Sequence, residues 1–317
     1  MSIEFSVIVP AFNREDLVDE TLATIFAQVH PPSEVILVDD GSTDATVEKA
    51  AAWPGCKVII VPNAGAANAR HVGVLASSRA WLAFCDSDDL WQPDHLEAIA
   101  AAVQLRPDVA FVFTNFVYFT EKQRKATTKF DEAPAGYWHR FSKPGADVLV
   151  AEAPIFDQIL QFQPIFPSCT AMTRDFYDTV GGYDPSFGRL PSEDLEFTLR
   201  CVIKAPVAAF ARPTVAIRRH DGNHSADHIK QLSGEVEILA HSKSAHRIGE
   251  AERQALGIAI AERASQAIDG AFAKKRWLLL RRLVRHLPWD RYSIRRSVKI
   301  AIGLVAGMAG RQTQGHR

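Results

Sequence analysis

The sequence predicts an α/β fold: a mostly parallel sheet flanked by helices, followed by a helical C-terminal appendage. Three observations carry this. Four short, mostly apolar runs rich in β-branched residues occupy residues 5–9, 34–38, 57–61 and 81–85, as expected of strands covered on both faces. Helical spacing fills the intervals between them, and alternation of this kind gives a parallel sheet with right-handed crossovers. From about residue 229 the pattern is helical to the end.

Taken in order, the first helix is marked by Leu17, Thr21, Leu22 and Ile25, the second by Val47, Ala50 and Ala51, and the third by Ala69, Val72, Val74 and Leu75. Residues 94–105 read as a helix entered at Pro93, and 109–119 as a strand. Prolines and aromatics then break the rhythm over about 120–167, among them Phe130, Tyr137, Trp138 and Phe141, so this stretch reads as an irregular insertion on the acceptor side. Its aromatics are either core filler or a platform for a sugar. Strand-like Ser168–Thr173, a helix from near Ser192, and strand-like Val207–Phe210 and Thr214–Arg219 complete a first domain over 1–225. Residues 226–317 form the helical, basic C-terminal region.

Charge separates the two. Of 36 Lys and Arg against 37 Asp and Glu, the stretch from Lys274 onward holds twelve bases and only Asp290, or +11, which leaves −12 for the first 273 residues. The four cysteines lie far apart with no C-x-x-C pair, so they read as reduced core filler and point to a cytosolic setting. Residues 1–10 carry no secretion signal.

In a parallel α/β sheet the ligand crevice lies beyond the carboxyl ends of the strands. Three polar segments converge there: Pro10-Ala11-Phe12-Asn13-Arg14, Asp39-Asp40-Gly41-Ser42-Thr43-Asp44 and Asp86-Ser87-Asp88-Asp89. The first turn contains no glycine and no G-x-x-x-x-G-K-[ST] occurs, which excludes dinucleotide-type and P-loop phosphate cradles. Three carboxylates within four positions behind an apolar run repel one another, and a positive partner is expected. A hard divalent cation, Mg²⁺ or Mn²⁺, carried by a nucleotide diphosphate meets that need.

The segments "SVIVPAFNRED" (6–16), "VILVDDGSTDAT" (35–46), "NAGAANARHVG" (63–73), "WLAFCDSDDLWQPDHL" (81–96) and "GGYDPSFGRLPSEDLEFTLR" (181–200) resemble the successive motifs of family 2 glycosyltransferases, inverting enzymes of the Rossmann-like GT-A fold. The resemblance covers about residues 3–225. It implies that Asp39 and Asp40 belong to the pocket for the nucleotide base, usually uracil, with Asp40 the base contact. It further implies that Pro10, Ala11 and Asn13 line that pocket and that Asn63, Gly65 and Arg70 help hold the nucleotide. Asp86-Ser87-Asp88 matches the D-x-D motif, with Asp86 facing the ribose and Asp88 binding the metal. Asp194, beside Glu193, matches the general base, and His220 a histidine near metal and diphosphate. The chain departs from the pattern at His71, where asparagine is commoner, and at Glu196.

Plainer readings stand beside these. Asp44 suits a helix N-terminus, Asp89 a helix start or a loop support, and Glu193-Asp194 an acidic first helical turn. His224 competes with His220. The expected reaction is metal-dependent transfer from a nucleotide-diphosphate sugar, UDP-linked or dTDP-linked, to a glycan, lipid-linked or other hydroxyl acceptor, with no nucleic-acid partner. The rivals are a sugar-nucleotide pyrophosphorylase and a non-catalytic nucleotide-sugar-binding protein. Residues 274–310 combine apolar and basic residues at helical intervals, with Trp277, Trp289 and Tyr292 suited to headgroup depth. The uninterrupted apolar run Ile300–Gly310 is too short to span a bilayer. This tail either lies on the inner face of a membrane, packs on the acidic body or forms an oligomer.

Overall fold

The computed structural model describes residues 3–121, 123, 125–219, 227–288 and 297–304. The chain divides into two compact units: Met1–Arg189 with Phe197–His220, and Leu190–Glu196 with Asp221–Arg317.

In the first unit, β1 (Phe5–Ala11), β2 (Glu34–Asp39), β3 (Cys56–Ile60) and β4 (Trp81–Phe84) pair in parallel in the order β3-β2-β1-β4. Alternate residues serve opposite faces: Phe5, Val7 and Val9 join the large apolar core, which α1 (Val18–Phe26) enters through Val18, Leu22 and Ile25. On the other face α3 (Ala66–Ala76) packs so closely that a Cβ on Gly73 would sit 2.5 Å from Ile8 Cγ2. The helix α2 (Thr46–Ala51) follows β2, and α4 (His95–Leu105) follows the two-residue strand β5 (Leu90–Trp91).

Beyond β4 the sheet turns mixed. The strand β6 (Phe111–Phe119) is separated from β4 by β9 (Thr170–Thr173), which runs antiparallel to both. Its first expected residues, Ser168 and Cys169, form a 3-10 turn instead, and α6 (Arg174–Val180) follows β9. The two expected strands at 207–210 and 214–219 are one strand, β10 (Val207–Arg218), parallel to β6, with register shifts at Pro213. Proline has no N–H for the ladder, so the sequence pauses where the strand only bulges.

The insertion is more ordered than its composition suggests. It supplies β7 (Phe141–Ser142), β8 (Val148–Ala151) and α5 (Phe156–Gln161). Phe130, Tyr137 and Phe141 are buried, with Phe130 edge-on to Phe113 at 5.8 Å, so these three rings are core filler.

The second unit is helical. After a short helical start at 193–196, it contains α8 (His228–Ala245), α9 (Glu250–Ala273), α10 (Trp277–Val284) and a helical stretch at 297–304. Asp227 caps α8 by accepting the Ile229 and Lys230 N–H groups at 3.2 and 3.3 Å. Gly270 lets α9 approach α8, since a Cβ there would lie 2.9 Å from Ile229. Among the described residues no helix is long and apolar enough to cross a membrane.

Candidate functional site

The parallel strands β1, β2 and β4 bring their carboxyl ends to one edge, and side chains tie those ends together. After β1 the chain turns left-handed at Asn13 (φ 50°), an uncommon conformation that Asn tolerates better than most residues. The Asn13 N–H donates to Ser42 Oγ at 2.8 Å, and Asn13 Oδ1 accepts the Thr43 N–H at 2.9 Å. Pro10 and Ala11 are buried strand residues, and the Ala11 carbonyl accepts the Asp40 N–H at 2.7 Å.

Asp39 is fully buried. Its Oδ2 accepts the Ser42 N–H at 2.9 Å, while Oδ1 has no hydrogen-bond partner among the described residues. Asp40 accepts the N–H groups of Ala64 (2.7 Å) and Gly65 (2.8 Å), one on each oxygen, which fixes the loop before α3 and leaves each oxygen a second lone pair. Gly65 has φ +100°, and a Cβ there would fall 1.9 Å from the Gly188 carbonyl oxygen, so only glycine fits. Asn63 Oδ1 accepts from Arg189 Nε at 2.7 Å, and the Arg189 guanidinium lies 5.5 Å from the centre of the Phe12 ring. Asp44, two residues before α2, accepts the Thr46 N–H at 3.0 Å.

The acidic loop after β4 is held by arginines. Arg70, 4% exposed, reaches from α3 to within 2.6 Å of Asp86 Oδ1 and lies over the Tyr183 ring at 5.2 Å. Arg14 Nη2 stands 3.5 Å from Asp88 Oδ2. The positive charge expected from a metal ion alone is therefore supplied in part by the protein. Ser87 is buried between the two aspartates.

Asp89 is a support rather than a helix start. Its Oδ2 accepts the Ser168 hydroxyl at 2.6 Å and its Oδ1 the Arg218 N–H at 2.9 Å, while Ser168 Oγ accepts the Asp86 N–H at 2.9 Å. Arg218 also donates from Nε to the Asp88 carbonyl at 2.9 Å and pairs with Glu20. Burial, then the charges of Asp88 and Asp86, push the Asp89 carboxyl well above its usual range. Burial foremost, reinforced by these carboxylates, raises Cys85 and Cys169, so both remain thiols behind the loop.

The Gly181-Gly182-Tyr183 segment builds core. Tyr183 stacks on Phe197 at 4.0 Å and meets Phe84 edge-on at 5.4 Å. Its N–H donates to Tyr177 OH at 3.0 Å, and burial pushes Tyr177 up to about 12. His71 shares a hydrogen bond with the same hydroxyl at 3.2 Å, a structural use for that departure from the family pattern. Glu193 and Asp194, half-buried, open α7 (Glu193–Val202) behind Ser192, whose φ of 69° is a second left-handed non-glycine residue. These two acids belong to the second unit, where Glu196 is buried and meets His246 Nε2 at 2.6 Å. His220 and His224 lie outside the described residues.

Among the described residues no three His, Cys, Asp or Glu side chains gather as a metal cage. Asp88 offers a hard oxygen ligand, which suits Mg²⁺ or Mn²⁺ bound through one or two carboxylates and completed by phosphate and water. Sequence reasoning left Arg14, Ser168, Arg189 and Arg218 without roles. Arg14 and Arg189 lay inside motif segments, and Arg218 closed an apolar run; Ser168 opened an expected strand and carried no signal of its own.

The sequence model of glycosyl transferase family 2 matches residues 6–158. The chain is 34% identical over 109 residues to an uncharacterized glycosyltransferase of Haemophilus influenzae, covering 34% of this chain and 37% of that one. It is 28% identical over 114 residues to the UDP-Glc:alpha-D-GlcNAc-diphosphoundecaprenol beta-1,3-glucosyltransferase WfgD of Escherichia coli, covering 35% and 45%. The chain thus spans less than half the length of these curated relatives. The crystal structure of S. aureus TarS 1-349 in complex with UDP-GlcNAc superposes with a TM-score of 0.67 at 19% identity, covering 99% of this chain and 93% of that one. The fold is shared and is GT-A.

Proposed function

We propose, from the match of residues 6–158 to the model of glycosyl transferase family 2, that the chain transfers a sugar from a nucleotide-diphosphate donor, a UDP-sugar, to an acceptor hydroxyl with inversion. The observation that carries the reading is the convergence of three strand ends, joined by Asn13, Asp39, Asp40, Arg70 and Asp86 into one network. Asp40 takes the base with its remaining lone pairs, in a pocket that Pro10, Ala11 and Asn13 line. Asp39 holds the turn beside it. Asn63 and Gly65 form the opposing loop, and Asp86, kept in place by Arg70, faces the ribose. Mg²⁺ or Mn²⁺ would be held at Asp88 and would supply charge neutralisation for the departing diphosphate. Arg14, beside Asp88, adds a fixed positive charge for the same oxygens.

Asp194 accepts the proton of the acceptor hydroxyl. That oxygen bonds to the anomeric carbon as the bond from carbon to the diphosphate oxygen breaks, and UDP leaves. Glu193 is the neighbouring acid. The Escherichia coli relative is named for a UDP-sugar and a diphosphoundecaprenol-linked sugar, which supports a UDP donor and a lipid-linked or other glycan acceptor.

A thermal-shift screen of nucleotide-sugars with Mn²⁺ and then EDTA, followed by assay of the released product, tests this. A ligand at a hundred times its Kd adds about 2.7 kcal/mol, enough for a rise of several degrees. A UDP-sugar is expected to raise Tm in a metal-dependent way and to release UDP with acceptor. Failure of every nucleotide-sugar to shift Tm overturns the reading, and release of pyrophosphate replaces it with a pyrophosphorylase.

A further inference from the structure

The second unit carries a feature that sugar transfer does not use. In α10 the apolar residues Leu280 and Leu283 are buried, and Leu287 beyond its end continues that stripe. At the intervening positions Leu278 (66% exposed), Arg281, Arg282 and Arg285 follow one another at i, i+3, i+4 and i+7, so they share the outer face. In the helical stretch at 297–304, Val298 (53% exposed) and Ile302 (49% exposed) are four residues apart and likewise face outward. The two stretches touch: a Cβ on Gly303 would lie 2.9 Å from Leu280 Cδ1 and 3.4 Å from Trp277. The turn with Ile302 is therefore next to the turn with Leu278.

The unit's own acids neutralise only part of its basic charge. Arg276 pairs with Asp227 at 2.5 Å, Arg282 with Glu237 at 3.3 Å and Lys299 with Asp269 at 2.6 Å. No carboxylate of the described residues pairs with Lys274, Lys275, Arg281 or Arg285. Exposed aliphatic side chains thus share this region with cations that no carboxylate of the described residues pairs. A second copy of the same face would bring like charges together, whereas an anionic bilayer attracts the cations and takes up the leucine, valine and isoleucine side chains.

We infer that the outer face of α10 and residues 297–304 docks on an anionic lipid surface. The face lies flat in the headgroup region, since the described helices do not span a membrane. Docking is independent of the transfer chemistry and of its acceptor, and it is measured without sugar turnover. Trp289 and Tyr292, assigned to headgroup depth from sequence, lie outside the described residues.

The full chain is sedimented with vesicles of equal parts phosphatidylcholine and phosphatidylglycerol, and with phosphatidylcholine alone, at low and high salt. Binding is expected only to the anionic vesicles and is expected to weaken with salt. Each neutralised cation lowers partitioning about fivefold, so Lys274→Gln with Lys275→Gln and Arg285→Gln abolishes sedimentation. Leu278→Ser with Ile302→Ser weakens it separately, both being exposed positions whose loss leaves the helical circular dichroism intact. A full-length chain that stays in the supernatant at low salt overturns the inference, as does wild-type sedimentation by the charge variant. Loss of a concentration-dependent dimer in the serine variant, with no vesicle binding by the wild type, assigns the face to a second copy instead.

Discussion

The acidic edge of the sheet and the basic end of the helical unit are charged to opposite effect. At the sheet edge Asp39, Asp86 and Asp89 each engage a backbone N–H, a serine or an arginine at 2.6–2.9 Å, and Arg70 and Arg218 are themselves nearly buried. On α10, Arg281 and Arg285 have no carboxylate partner among the described residues. The difference follows from desolvation: a charge taken out of water must be satisfied by the fold, so it becomes fixed, while a charge left in water stays available to a surface. Fixed charge suits recognition of one small polyanion, and available charge suits a broad, fluid one.

The largest expected effect belongs to a residue outside both groups. Asp194 acts on a proton, so Asp194→Asn, which cannot accept it, is expected to lower single-turnover transfer by roughly 10²- to 10⁴-fold while UDP affinity stays near wild type. Near wild-type transfer would move the role to Glu193. Next, Asp88→Asn is expected to weaken Mn²⁺-dependent UDP binding by at least roughly 10- to 100-fold, since even outer partners of a metal ligand contribute that much. Calorimetric titration with and without Mn²⁺ measures it. An unchanged metal-dependent affinity would mean that the acidic edge works through its arginines alone.

How much of this contrast was legible depends on distance along the chain. The strands β1 to β4 and their helices were legible because periodicity and turn residues are local, as the burial of Thr21, Leu22 and Ile25 in α1 shows, although the expected Leu17 stands at the cap and Val18 takes its buried place. The sign of the tail was legible too, being a matter of counting. Counter-ions were not. Arg14 lies 74 positions from Asp88, and the Arg218 bond to Asp89 spans 129 residues, so nothing in either neighbourhood names the other. The same limit hid the antiparallel β9 between β4 and β6, since pairing partners are set by tertiary packing.

Two stability measurements sharpen the comparison on the sheet side. Arg70→Met leaves Asp86 without its arginine, and with that carboxylate part-exposed a loss of about 1–3 kcal/mol is expected, less than for a wholly buried pair. His95 shows the neutral version of the same rule. It is buried, with Nδ1 at 2.8 Å from Thr214 Oγ1, and burial holds its pKa down to about 3 against an ordinary 6.5. The unfolded chain takes up a proton that the folded one refuses. Its contribution is therefore complete above about 6.5 and is lost as pH falls toward about 3. His95→Gln is expected to flatten the Tm profile across that window, and an unchanged acid limb would show that other groups govern it.

The smallest effect is expected on α9 and α10, at Lys274→Gln and Arg285→Gln. Both cations follow the last turn of a helix, α9 and α10 respectively, and have no carboxylate partner among the described residues. Their contribution to folding is then limited to the helix dipole, about 0.3–1 kcal/mol each at low ionic strength. Because these charges sit in water, raising the salt to about 1 M shortens the screening length to roughly 3 Å and should remove the difference from wild type. The cost of Arg70→Met should persist, since ions do not enter a pair whose arginine is 4% exposed. Denaturant titrations of the three variants at low and high salt separate the cases. If the α9 and α10 variants lost as much stability as Arg70→Met, and kept that loss in salt, those cations would be structural counter-ions, and the contrast between fixed and available charge would fail.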